Sequence, residues 1–315
     1  MNACVKNDFF IDEEAFPCFP SALSSAREFS HFCFRDGGVI VLYVRSLASS
    51  SVSPHLTLLR RVGYCRLSPG VTGSSSTRYL HEIYRKFALA AILTYTSEQA
   101  IYAYQNRRDI EKLAPVLFLF LCHITCIVKK LVFHLDAPRI DQLIAELEDA
   151  AYNSQTPPHR AMLRSTASSA LRLLRAYVGC AIFTCILWVM FPLVDRLQQQ
   201  DIEFHFWIPV DYNRPLTFPL VLIYSYYVTT LVAVGNTTMD AFIATMLSQC
   251  KTQLSILRMN FEDLPLRAME MAYNSTSYEA ALSKLFLDCI HHYQKISEYK
   301  PFDTIISHYK NTKEI

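Results

Sequence analysis

The stretch LDCIHHYQKISEY, residues 287–299, gathers a thiol and two imidazoles at Cys289, His291 and His292. These are the ligand types of a zinc centre, which needs three or four of them converging on one point. On a helix, Cys289 and His292 fall on neighbouring faces while His291 points elsewhere. The same segment carries Leu282, Leu285, Phe286, Cys289, Tyr293 and Ile296 as one apolar stripe. The cluster therefore reads as packing and hydrogen bonding, with no metal and no cofactor expected. Catalysis finds no support elsewhere. The chain has no glycine-rich phosphate loop, no paired-carboxylate signature, and no Ser–His or Cys–His arrangement in a recognisable context.

The elements that must position any functional group are apolar. Of 315 residues, 51% are hydrophobic and only 18% charged, against about a quarter charged in a typical soluble domain. Glycine is scarce at 7, while there are 20 Phe and 18 Tyr, which favours helices over a turn-rich β fold. A net charge of +2 is too small to argue for a nucleic-acid partner. Cys122, Cys126, Cys180 and Cys185 lie inside apolar runs, where cysteine acts as a small hydrophobe rather than as part of a disulfide framework. The apolar VIVLYV at 39–44 is too short and too far in for a signal peptide.

Three segments meet the requirement of about 20 mostly apolar residues for a spanning helix. They lie near 113–133, 173–194 and 216–240. The first of these carries Lys129 and Lys130 near its end, where long cations can snorkel to the interface. A weaker candidate at 87–104 carries Glu98 and completes a set of four. Lysine and arginine placement sets direction. Arg60, Arg61, Arg66, Arg78, Arg85 and Lys86 precede the first span. Lys129, Lys130, Arg139, Arg160, Arg164 and Arg172 fall between the second and third, and Lys251, Arg258, Arg267, Lys284 and Lys295 follow the fourth. The other side receives Arg107, Arg108, Arg196 and Arg214, offset by Asp195, Asp201, Glu203 and Asp211. Four spans with both ends cytoplasmic follow. That orientation excludes a G-protein-coupled receptor. The sequon at Asn274 should then stay bare, and the one at Asn236 sits at membrane depth.

Outside the spans the chain is uneven. Residues 1–54 read as a disordered or misassembled N-terminal extension, rich in polar stretches such as SLASSSVSP. HLTLLRRVGYCRLSPG, from His55, reads as a short amphipathic helix ending at Pro-Gly, either on the membrane surface or as a soluble cap. DAPRIDQLIAELEDAAY places Ile140, Leu143, Ile144, Leu147 and Ala151 on one face. After the fourth span, helical spacing continues through Phe242, Met246, Leu247, Leu254 and Leu257. The spacing predicts spans prolonged into the cytoplasm as long helices. The fold class expected is an all-α membrane protein, a bundle of about four transmembrane helices extended by cytoplasmic ones.

Several stretches, in order, carry a family resemblance: LLRRVGY before the first span, DIEKLAPVLFLFLCH at the second, KTQLSILRMNFEDL after the fourth, and LFLDCIHHYQKISEY beyond it. Together they resemble an insect odorant receptor of the moth and butterfly type over residues 55–299. The resemblance implies seven spans with the N-terminus inside and a plasma-membrane location. It implies a ligand-gated cation channel that works with a shared coreceptor subunit, the chain supplying the subunit that binds small volatile molecules. It implies a pore-lining seventh span. Residues 300–315, KPFDTIISHYKNTKEI, depart from that pattern. They suggest a truncated, spliced or imperfect reading of a longer gene, and so a chain that does not conduct. A gustatory-type chemoreceptor and a non-conducting four-span protein are the rival readings.

The same resemblance places the odorant inside the membrane, in the outer half of the bundle. Such a pocket needs apolar and aromatic walls with a few polar groups to fix orientation. The residues expected to line it are Phe118, Trp188, Met190, Tyr224 and Tyr227, with Phe206 and Trp207 as groups of an outer lid. His123, near the middle of the second span, is the expected hydrogen-bonding group in or beneath it.

Overall fold

A computed structural model describes residues 46–66, 75–153, 156–199, 202, 204–211, 214–274 and 277–298. All of them fall in one compact unit, Arg45–Ile315. Residues 1–45 and 299–315 lie outside the described residues, and so do Ser275 and Thr276 of the Asn274 sequon. Among the described residues the fold is entirely helical. The α-helices are α1 (Leu47–Ser50), α2 (Ser53–Arg61), α3 (Ser75–Gln105), α4 (Ile110–Leu135), α5 (Ala137–Leu147), α6 (Pro157–Leu197), α7 (Thr217–Glu262), α8 (Leu264–Asn274) and α9 (Tyr278–Glu298), with a 3₁₀ turn at Ala150–Tyr152.

Local chemistry sets the boundaries. Asp109 caps α4 by accepting from the backbone N–H of Glu111 and Lys112 at 3.1 and 3.4 Å. α2, α5 and α6 carry proline in their first turn, where its missing N–H costs no hydrogen bond. α2 ends in a Schellman turn: Gly63, at φ 76°, donates to the Arg60 carbonyl and Tyr64 to that of Leu59. The amphipathic helix expected from His55 thus stops at Gly63 rather than at the Pro-Gly pair, which lies outside the described residues.

Among the described residues three helices are long and apolar enough to cross a bilayer: α4, α6 and α7. α3 falls short because TYTSEQ, residues 94–99, interrupts its apolar run. Three of the four expected spans thus meet the length and composition requirement, and α3, the weaker candidate, is a helix over its whole expected range. α7 is the central element. α6 packs along it, and α2, α3, α4 and α9 also contact it. Buried positions run its whole length, from Phe218 and Val221 to Ile256 and Leu257. α6 is the opposite case, with only 6% of its most apolar stretch buried. At 46 and 41 residues, α7 and α6 are about 70 and 60 Å long. Both are about twice the hydrocarbon thickness, so each continues well beyond one membrane face.

The expected boundary at 54 moves. Ala48 and Val52 are fully buried, and Gln249 of α7 donates to the Ala48 carbonyl and to Ser51 Oγ at 3.2 and 2.6 Å. Polar spacing hid a segment whose serines satisfy a helix start and a buried glutamine. α2 likewise lies in the bundle rather than on a surface, with His55, Leu56 and Leu59 against α7. α5 buries Ile140, Leu143 and Leu147 on the expected face. On α7, Phe242, Met246 and Leu257 are buried while Leu247 and Leu254 are exposed.

His55 meets Thr245 Oγ1 at 3.2 Å in a buried setting. Burial lowers its pKa to about 4, so the folded state holds it neutral. Above pH 6.5 it is neutral folded or unfolded and adds no pH dependence. As pH falls from about 6.5 to about 4, the unfolded chain takes up the proton and the docked α2 does not. Stability should therefore drop over that window, by up to about 3 kcal/mol. Thermal melts at pH 7.5 and pH 5 in detergent check this, and His55→Gln should flatten the difference.

Candidate functional site

α3 turns Ala88, Ile92, Tyr95 and Gln99 inward, the 88/92/95/99 spacing of one helical face. α4 presents His123 to the same region, and α7 presents Phe218, Tyr224 and Ser225. The 198–216 connection between α6 and α7 folds Phe204 and Phe206 back into the bundle, where both are buried. Its register is held by the Trp207 backbone N–H, which donates to the Glu98 carbonyl of α3 at 3.1 Å.

Tyr95 is the hub. Its ring centroid lies 4.8 Å from Phe206, 5.3 Å from His123 and 5.7 Å from Tyr224. Phe206 also meets Tyr224 at 6.3 Å and Phe204 at 5.7 Å, and Phe204 meets Phe218 at 6.0 Å. The rings are tilted or edge-on throughout, the favoured arrangements, each worth about 0.5–1.5 kcal/mol beyond area burial.

Polar groups are threaded through this aromatic cluster. The Tyr95 hydroxyl lies 3.1 Å from Ser225 Oγ, and the Tyr224 hydroxyl donates to Glu98 Oε2 at 3.2 Å. His123 Nδ1 lies 2.7 Å from the Leu119 carbonyl of its own helix. A carbonyl only accepts, so Nδ1 carries the proton and the neutral ring leaves Nε2 as a bare acceptor. Nε2 and both side-chain polar atoms of Gln99 are buried without a partner. Unpaired buried polar atoms cost about 1–3 kcal/mol each. His123 Nε2 belongs to the ring cluster itself, and Gln99 follows Tyr95 by one turn of α3.

The structure brings together three of the residues singled out from sequence, His123, Phe206 and Tyr224. Tyr227 stands apart, against Phe87 at 6.4 Å. Trp188, half-buried on α6, faces His205 of the connection at 5.6 Å. Phe118 is 69% exposed on the outer side of α4, and Met190 and Trp207 are also exposed. Tyr95, Gln99, Phe204, Phe218 and Ser225 were missed. The small residue Ala88 and the seven-residue step from Ala88 to Tyr95 were the available signal for an inward face.

Cys289, His291 and His292 do not converge. Cys289 packs with Leu257, Leu264, Ala268, Ala281 and Leu285 between α7, α8 and α9. His292 Nε2 lies 3.2 Å from Gln253 Oε1, and its ring meets Tyr152 edge-on at 5.9 Å. His291 is exposed. Among the described residues no three His, Cys, Asp or Glu side chains form a metal-binding group.

Comparison with known proteins bears on this bundle. The olfactory receptor OR5 from Machilis hrabei has a similar fold, at TM-score 0.59 and 11% identity, over 79% of this chain and 64% of that one. The structure of OR5 in complex with eugenol aligns at TM-score 0.56 and 12% identity, over 80% of this chain and 65% of that one. Odorant receptor Or1 of Anopheles gambiae is 28% identical over 120 residues, which is 38% of this chain and 28% of the relative. The chain thus spans less than two thirds of the length of the relatives it matches. The sequence model described as 7tm odorant receptor matches residues 109–305, well over half of the chain. An all-helical membrane bundle, built around one central helix and carrying that match, belongs to the 7tm odorant receptor family.

Proposed function

We propose that this chain is the odorant-binding subunit of a ligand-gated cation channel, assembled with a coreceptor subunit in the plasma membrane, both termini cytoplasmic. The observation that carries the reading is the cluster of Tyr95, His123, Phe206 and Tyr224, where rings from three helices and one connection meet and leave His123 Nε2 unpaired. Rings supply apolar contact to a small volatile molecule, while His123 Nε2 and Gln99 offer one acceptor and an amide able to donate and accept. Eugenol, named in the OR5 complex, is a small aromatic bearing a hydroxyl, and a ligand of that kind suits such a wall.

α3 serves as the fourth span in this reading. It is 31 residues long, about 47 Å, and it lies beside α4 and α7. The basic segments flanking the spans orient the bundle with the 106–109 and 198–216 connections outside. An epitope fused to Ile315 should then stain only permeabilised cells.

Currents recorded from cells carrying the coreceptor alone, and the coreceptor with this chain, test the function. The chain should add responses to small oxygen-bearing aromatics. At matched surface expression, Tyr224→Phe and Phe206→Ala should raise the half-maximal concentration about five- to fiftyfold, roughly 1–2.3 kcal/mol. A response spectrum unchanged by adding this chain would overturn the reading. Unchanged concentrations in both variants would move the ligand away from the cluster.

A further inference from the structure

At the other end of α3 and α4 two cations are only partly answered. Lys130 is 8% exposed, and its Nζ has no hydrogen-bond partner. Arg85 keeps Nη2 3.3 Å from Glu82 Oε1, while its Nη1 is buried and unpartnered. The two are drawn together by the turn that ends α2. Gly63 sits so close to α3 that a β-carbon on it would stand 3.5 Å from Arg85 Cα. The next residue, Tyr64, lays its ring 4.5 Å beneath Lys130 Nζ. The like charges of Arg85 and Lys130 act on each other. Asp141 is within electrostatic reach of neighbouring Cys65, and Glu82 is taken by Arg85. One aromatic face and the Glu82 carboxylate do not balance a buried ammonium and a partly buried guanidinium, since desolvating an ion costs several kcal/mol.

Position says what does. Arg85 lies about 20 residues along α3 from the α3–α4 connection, and Lys130 about 20 residues along α4 from it. At 1.5 Å per residue both stand roughly 30 Å away, the thickness of the hydrocarbon core. They are therefore level with the opposite headgroup layer, whichever way the bundle is oriented. Arg60 acts on the same Cys65 as Arg85 and Lys130 do, and Lys86, the next residue after Arg85, is exposed. A guanidinium and an ammonium gathered at one turn suit the oxygens of a phosphate.

We propose that Arg85 and Lys130, beside the Gly63–Tyr64 turn, form a binding site for a phosphate group. The whole chain is melted in a maltoside detergent free of phosphate, in that detergent with phosphatidic acid added, and in it with inorganic phosphate added. Phosphatidic acid should raise the melting temperature by about 3 °C over the detergent alone. Lys130→Met and Arg85→Gln should each abolish the rise. Lys130→Met should melt no lower than the parent in the detergent alone, since it removes an unpaired buried ammonium. A rise with inorganic phosphate alone assigns the site to free phosphate, and a rise with the lipid alone to a headgroup. No rise in the parent protein, or a rise that survives in both variants, overturns the site.

Discussion

Gly235→Ala should lower the melting temperature of the detergent-solubilised protein by about 3–8 °C and cut its surface expression. Gly235 lies mid-way along α7, where Tyr64 is driven against the helix backbone. A β-carbon there would stand 2.4 Å from Tyr64 Cζ, 2.6 Å from Cε2 and 2.7 Å from the hydroxyl, well inside van der Waals contact. The ring has little room to retreat. Its hydroxyl lies 2.8 Å from Cys126 Sγ and 3.5 Å from the Leu231 carbonyl, and Lys130 covers its other face. The backbone before it is fixed by the two hydrogen bonds of the Schellman turn. Overpacking of this kind costs about 1–3 kcal/mol, and a protein of this size shifts by a few degrees per kcal/mol. Tyr64→Leu removes the ring that the methyl strikes. It should be destabilising alone, yet in the Gly235→Ala background it should recover part of the loss, a non-additivity expected of touching residues. Alanine at 235 melting like glycine would mean that Tyr64 does not seat on α7.

That keystone shows where the sequence is legible and where it is not. Long apolar runs declare α4, α6 and α7 without ambiguity, because about 20 consecutive apolar residues have few other uses. Periodicity equally declares the inner face of α5, at Ile140, Leu143 and Leu147. A single glycine among 46 helical residues declares nothing. Its role depends on a tyrosine 171 positions earlier in the chain. The ring cluster is similar. Tyr224, His123 and Phe206 could be picked out as chemistry on the right spans and connection. Phe118 and Tyr227 looked equivalent, since spacing within one helix fixes relative faces but not which face meets a neighbour. The serines of α1 misled for a related reason. Ser46, Ser49, Ser50 and Ser51 cap and satisfy a short buried helix, while their composition is that of a solvated linker.

Lys129 is the sharpest departure from a one-dimensional reading, and it supports a second strong prediction. Expected to snorkel outward, it turns inward instead. Its Nζ donates to Asn236 Oδ1 at 2.8 Å and Asp240 Oδ1 at 2.7 Å, locking α4 against α7. The pair is unequal, because the lysine side chain is 12% exposed and the aspartate 45%. Removing the carboxylate strands a buried ammonium with only an amide oxygen. Removing the lysine leaves an aspartate that water still reaches. Breaking a fully buried pair costs about 3–5 kcal/mol; half-exposure of one partner discounts that. Asp240→Leu should therefore cost about 2–3 kcal/mol and Lys129→Met about 1 kcal/mol. The double variant, with both charges gone and apolar side chains of similar size in place, should melt within about 1 kcal/mol of the parent. Asn236→Ala should cost least, since the ion pair survives it. Melting temperatures of the four variants in one detergent check the order. If Lys129→Met proved the worst of them, or the double variant showed the sum of both losses, the charge pair would not be what holds α4 to α7, and the apolar contacts of Phe133 with Phe242, ring centroids 5.6 Å apart, would have to carry that junction alone.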